Sequence, residues 1–376
     1  MRFALARLEE EIRVNALELF IMSCPSDANR RRPKAFRLFA ALVSCFFCLC
    51  VYAEDAIDSL HEAAKAGDAD AIRRLVAGGV DVNAVKDGST PLLTATNWNR
   101  YEAVEALVAL GADVNYRVGQ WTPLIKATGR DTRIVKAVIE AGADVNYSDP
   151  IFGSSALLGA ARNSPKTFEQ LAKDGHYSGP LPNSVETARL LIAADADVNH
   201  KNNNGETALR IAIESDNIEI VRLLLERDVD VNDHNPITPE SRTYTQADDP
   251  VLLDAISGDP DIQTVIVAML LNAGADPNYR NPRPYDASFD SSGKTIDGYT
   301  ALTFATRWGY LPVVELLLQH GADACLARVD GALAAMIAEE HKFDLVAKAI
   351  RRYTKDPCRR SPTSAAGSER SRHTVC

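Results

Sequence analysis

Apolar residues recur in short stretches at positions i, i+3 and i+4, as at Val104, Leu107 and Val108 and again at Val314, Leu317 and Leu318. That spacing puts them on one stripe of a helix, so each stretch predicts a short amphipathic α-helix. Ahead of most of these stretches lies a shorter, Ala-rich segment opened by a small polar residue. Thr90-Pro91-Leu92, Thr122-Pro123-Leu124, Thr207-Ala208-Leu209 and Thr300-Ala301-Leu302 are the clearest cases, with weaker versions at Ser155-Ala156-Leu157 and Asp249-Pro250-Val251-Leu252. Thr, Ser or Asp caps the free amides of a helix start, and Pro suits the first helical position. The small side chains of the first helix let the second pack closely against it. The predicted element is therefore a helix pair, used many times.

A five-residue string follows the second helix and sets the period. It appears as Gly79-Val80-Asp81-Val82-Asn83, Gly111-Ala112-Asp113-Val114-Asn115 and Gly142-Ala143-Asp144-Val145-Asn146. It returns as Asp195-Ala196-Asp197-Val198-Asn199, Asp228-Val229-Asp230-Val231-Asn232, Gly274-Ala275-Asp276-Pro277-Asn278 and Gly321-Ala322-Asp323-Ala324-Cys325. The Asp-to-Asp spacings are 32, 31, 53, 33, 46 and 47, a period near 33 with three insertions. A fixed period of this size means stacked units that bury a core only together. The glycines end the second helices in the left-handed conformation, and Asp195 and Asp228, which stand in two glycine positions, are expected to adopt it too.

These motifs resemble those of the ankyrin repeat family, whose pattern runs Thr-Pro-Leu-His-x-Ala through Gly-Ala-Asp-x-Asn. The resemblance covers about 58–355 and implies an all-α ankyrin-repeat solenoid of stacked helix-turn-helix units joined by finger loops. Seven repeats carry a full ending string, and a truncated eighth at 332–355 is expected to cap the array. His61 takes the family's structural His position in Asp58-Ser59-Leu60-His61-Glu62-Ala63-Ala64-Lys65, so a zinc-protease reading of His61-Glu62 fails, Lys65 standing where the second His belongs. The column Asp81, Asp113, Asp144, Asp197, Asp230, Asp276 and Asp323 admits a calcium ladder, but a backbone-bonding role in the repeat explains it better.

Three segments lengthen the array. About 164–183 lies between the two helices of the fourth repeat, while 233–248 and 279–298 extend two adjacent fingers. Long loops are tolerated thermodynamically, so drift is one reading. The other is partner binding, because the two fingers carry Tyr244, Tyr279, Arg283, Tyr285 and Phe289, and aromatic residues with Arg are the usual interface anchors. Trp121 and Trp308 are further partner-binding candidates. The first-helix face, with Lys126, Arg210, Arg307 and Trp308, is the next place to look.

The first fifty-three residues differ from the rest. Arg30-Arg31-Arg32-Pro33-Lys34 and Arg37 precede sixteen uncharged residues, Leu38 to Ala53, after which Glu54 and Asp55 begin an acidic body. Basic n-region, apolar h-region and small residues at Val51 and Ala53 describe a signal peptide cut after Ala53. An uncleaved anchor over 38–53 and a lipoprotein cut before Cys45 remain alternatives, and translation is expected to start at Met1 or at Met22. The mature chain retains Cys325, Cys358 and Cys376, enough for one disulfide, expected between Cys325 and Cys358, one period apart. Residues 356–376 are rich in Ser and Arg and read as a disordered tail.

Charge narrows the function. Residues 54–355 hold 29 basic and 44 acidic side chains, a balance that repels phosphate backbones and argues against nucleic-acid binding. No catalytic constellation stands out. Ser291-Ser292-Gly293-Lys294-Thr295 ends like a phosphate-binding loop but lacks its first glycine and its preceding strand. The histidines show no ligand spacing, so neither cofactor nor metal is expected. The sequence thus reads as a non-enzymatic, exported protein-binding module, periplasmic or secreted, whose partner is another protein. A membrane-tethered scaffold, or an enzyme with a site in the long fingers, is the alternative.

Overall fold

In a computed structural model, residues 54–163, 183–233, 250–257, 260–279, 299–326 and 333–354 are described. Among them the chain is helical, without extended strands, and the helices come in pairs. It divides into two compact units, 1–143 and 144–376.

The first unit holds α1 (54–66), α2 (Ala69–Ala77), α3 (Pro91–Asn97), α4 (Tyr101–Ala109), α5 (Pro123–Ala127) and α6 (Thr132–Glu140). First helices α3 and α5 lie side by side, and so do second helices α2, α4 and α6. The second unit repeats this with first helices α7 (Ala156–Arg162), α9 (Ala208–Glu214), α11 (Val251–Ser257), α13 (Ala301–Arg307) and α15 (Ala334–Glu340). Its second helices are α8 (Ser184–Ala193), α10 (Ile218–Leu225), α12 (Pro260–Asn272), α14 (Leu311–Gln319) and α16 (Asp344–Tyr353).

The local chemistry explains the helix starts. Oγ1 of Thr90, Thr122 and Thr300 accepts the N–H of Leu93, Ile125 and Thr303, each at 3.2 Å. Thr207 does the same for Arg210, and Thr300 closes a reciprocal capping box with Thr303. Burial supplies the rest: Leu92, Leu124, Leu157, Leu209 and Leu302 of the first helices and Leu107, Val138, Leu191, Leu224 and Leu317 of the second ones are all removed from water.

The ends of the second helices depend on glycine through conformation, not space. Gly111 and Gly321 have φ of 85° and 86°, and a Cβ built there would meet nothing within 4 Å. Asp195 substitutes for such a glycine at φ 62°. Asp228 does not adopt the left-handed form expected of it. In the neighbouring repeats the residue after this position bonds back to the second helix, as Ala196 N–H does to Leu191 O at 3.0 Å. After Asp228, the Val229 N–H instead turns to Arg227 O at 2.7 Å, so the chain leaves α10 by a different turn.

The Asp-x-Asn strings join one repeat to the next. Each Asp accepts the N–H two residues on, as Asp113 does from Asn115 at 2.9 Å and Asp276 from Asn278 at 2.8 Å. Asn146, Asn199, Asn232 and Asn278 then reach the next repeat with both ends of the side-chain amide. Asn232 donates to Gly274 O at 3.1 Å and accepts from Asp276 N–H at 2.8 Å, and Asn199 and Asn278 repeat the pattern. Carboxylate and amide thus bond to the backbone, which accounts for the recurrence of these residues. At the last string Cys325 stands in the asparagine column. Cys325 is disulfide-bonded. Its partner, the expected Cys358 included, lies outside the described residues.

Asn232→Ala deletes two such bonds and is expected to lower stability by about 1–2 kcal/mol. Asn232→Asp keeps the acceptor only and should fall between Asn232→Ala and the parent in urea unfolding.

Candidate functional site

The repeats leave a few large apolar side chains in solvent. Trp98 caps the C-terminus of α3 and Trp308 that of α13, each eight residues after the capping threonine, Thr90 or Thr300. They are 49% and 55% exposed. Trp121, 38% exposed, sits in the finger before α5, where it pairs with Val118.

Two of these rings are held by cations. Lys126 Nζ stands 3.6 Å from the centre of the Trp121 ring, and Lys65 Nζ 5.1 Å from that of Trp98. Burial pushes the Lys126 ammonium below the ordinary lysine range, and the Arg130 charge adds to the effect. Near Trp308, Arg307 Nη1 donates to Tyr299 Oη at 2.9 Å, and the Tyr299 ring meets Phe304 edge-on. A cation over the face of an indole is attracted by the ring quadrupole.

The other sequence candidates fare differently. Tyr279 is half-buried at the start of its finger, its N–H on Asp276 O. Tyr244, Arg283, Tyr285 and Phe289 lie outside the described residues, as do Cys358 and the cleavage site after Ala53. Arg210 is no surface residue. It is 2% exposed and ion-paired with Asp254, itself 5% exposed, of the next first helix. Its position explains this. Arg210 occupies the column of His61, which points between repeats: His61 Nε2 donates to Ala84 O at 2.9 Å, leaving Nδ1 to face the Thr94 hydroxyl at 3.2 Å. Thr94 and Asp254 hold corresponding positions in the following repeat, so an ion pair replaces a His–Thr contact.

A second feature escaped sequence reasoning. Ile151 and Phe152, in the finger before α7, are 59% and 58% exposed. The signal was an Ile-Phe pair where the preceding fingers read Lys86-Asp87-Gly88 and Val118-Gly119-Gln120.

The shifted titrations outside these surfaces belong to local pairs. A hydrogen bond from Arg133 holds the Asp131 carboxyl low, and Asp58 raises Lys86 at 2.7 Å. Burial, then the Glu206 charge, raises Glu214. Among the described residues no three His, Cys, Asp or Glu side chains converge as metal ligands, and no helix is long and apolar enough to cross a membrane.

Comparison with known proteins agrees with the geometry. A family model for ankyrin repeats (3 copies) matches residues 40–118, 60–149 and 181–235, and a single ankyrin repeat model matches 297–328. Together these span more than half of the chain, which belongs to the ankyrin repeat family. It is similar to the nuclear factor NF-kappa-B p105 subunit of Gallus gallus, 30% identical over 202 residues covering 48% of this chain and 19% of that protein. It is also similar to ankyrin repeat and SOCS box protein 6 of Mus musculus, 32% identical over 100 residues, 22% of this chain and 24% of that protein. The chain thus spans about a quarter or less of each relative's length. Ankyrin repeats generally serve as protein–protein interaction modules.

Proposed function

We propose that the protein is an exported, non-enzymatic module that binds another protein through the first-helix side and the fingers of its repeats. The exposure of Trp98, Trp121 and Trp308 carries this reading. Indole surface left in water is unfavourable, and at an interface the same surface supplies an anchor. The long fingers with Tyr244, Tyr279, Arg283, Tyr285 and Phe289 would add contacts. With 44 acidic against 29 basic side chains over 54–355, the array favours a partner with a basic patch and disfavours nucleic acid. Association should therefore slow as salt rises.

Pull-down from an envelope extract at equal folded concentration tests the surface. Trp121→Ala and Trp308→Ala should each reduce recovery of the partner, by about tenfold where the ring is a buried anchor. Trimming 281–296 to a short turn should reduce recovery as well while leaving the thermal midpoint within a few degrees. Undiminished recovery by all three variants would remove the proposal.

Export rests on the basic-apolar-small order of residues 30–53, and the disulfide at Cys325 fits an oxidising compartment. Intact-mass analysis of the exported protein should give a chain beginning at Glu54. A mass retaining 38–53 would indicate an anchored form instead.

A further inference from the structure

The finger from Asp149 to Ser154 is closed around one buried side chain, as the finger after it is around Asn202. Asp149 is buried, and its carboxylate takes three backbone amides: Oδ1 accepts from Ile151 N–H at 2.9 Å and Phe152 N–H at 2.7 Å, Oδ2 from Ser154 N–H at 2.7 Å. The backbone of Asp149 closes the same loop, its N–H on Ser154 O at 3.0 Å and its carbonyl on Gly153 N–H at 2.8 Å.

The next finger holds the carbonyls at the tip. Asn203 donates its backbone N–H to Phe152 O and its Nδ2 to Ile151 O, both at 2.9 Å, while His200 Nε2 donates to Gly153 O at 2.7 Å. Gly153 is required twice over. Its φ is +68°, and an added Cβ would meet Asn203 Oδ1 at 2.7 Å and its backbone N at 2.8 Å. The tip therefore has its polar groups satisfied within the protein and its shape fixed. What remains for the outside is the pair of side chains, Ile151 and Phe152, both more than half exposed.

We infer that this tip is a preformed plug that inserts into an apolar pocket, rimmed by Lys or Arg, on a partner protein. The inference deepens the proposed protein-binding function and rests on it. A loose loop would lose conformational freedom on docking, whereas this one is already ordered and gives up little. Charge decides among occupants. Residues 144–300 carry 25 acidic and only 12 basic side chains. That field opposes a second copy of the same chain and an anionic lipid surface, and it favours a pocket with a basic rim.

The experiment places a photo-crosslinking phenylalanine analogue at Phe152 in the full exported chain and irradiates it in envelope extract. A discrete protein adduct is expected, with the crosslink among apolar residues flanked by Lys or Arg. Unlabelled parent should compete it away, and unlabelled Phe152→Ser should need about tenfold more, the size of effect usual for a buried aromatic anchor. Asp149→Ala, which keeps both apolar side chains but frees the loop, should compete several-fold more weakly than the parent. A chain-to-chain adduct, or co-sedimentation with vesicles of anionic phospholipid that Phe152→Ser abolishes, would overturn the inference in favour of those occupants. So would competition by Phe152→Ser equal to that of the parent, which would leave the protein-binding reading intact. Absence of any protein adduct, together with no recovery in the tryptophan pull-down, would overturn both.

Discussion

Asp254→Ala is expected to lower the stability of the 144–376 unit by about 3–5 kcal/mol, because it removes the carboxylate paired with a buried guanidinium. Arg210 and Asp254 sit on adjacent first helices, α9 and α11, with side chains 2% and 5% exposed. Taking both ions out of water is expensive, and their mutual attraction offsets part of that cost. Removing the aspartate takes away the attraction and leaves the desolvation. Arg210→Met removes the same attraction from the other side of the pair. The double variant, Arg210→Met with Asp254→Leu, should recover most of either loss, since an apolar pair of similar volume carries no such penalty. The stability difference should also resist added salt, unlike exposed pairs such as Arg73–Asp70. Urea unfolding of the parent, both single variants and the double variant measures the coupling directly. A loss below about 1 kcal/mol for Asp254→Ala, the scale of exposed pairs, would mean that the pair is solvated in solution.

Leu317→Ala is expected to cost about 2–5 kcal/mol, the range for a buried leucine whose cavity only partly relaxes. Leu317 is fully buried in α14, and its carbonyl also receives the Ala322 N–H that closes the helix. Repeat arrays spread such damage unevenly, because each unit contacts only its neighbours. Amide exchange should therefore quicken first in α13–α16 and least in α7 and α8. Uniform quickening across the unit would contradict the repeat-wise account of its core.

What the sequence made legible was local. Thr90, Thr122, Thr207 and Thr300 announce helix starts because capping is decided within three residues, and Gly111 or Gly321 announces a helix end for the same reason. The Asp column was read correctly as backbone chemistry, though the matching Asn ladder needed the packed neighbours to be seen. Arg210 was misplaced because its burial depends on the phase of α9 against the next repeat. Aligning it with His61 would have turned it inward. Asp228 failed because its turn is set by how the chain leaves α10, not by residue type. The Ile151–Phe152 tip was passed over in favour of longer fingers, since length is visible in a sequence and a stapled conformation is not. Tyr244, Arg283, Tyr285, Phe289 and Cys358 fall outside the described residues, so their roles stand on the sequence.

The central claim is that partner binding uses exposed side chains on the first-helix side and finger tips while the second helices supply stability. Hydrogen exchange of the protein, alone and bound to the partner it captures, tests this most directly. The account predicts new protection around Trp98, Trp121, Ile151–Phe152 and Trp308, with exchange in α4, α10 and α14 unchanged. Protection confined to those second helices, with the tryptophan turns and the fingers unaltered, would contradict it.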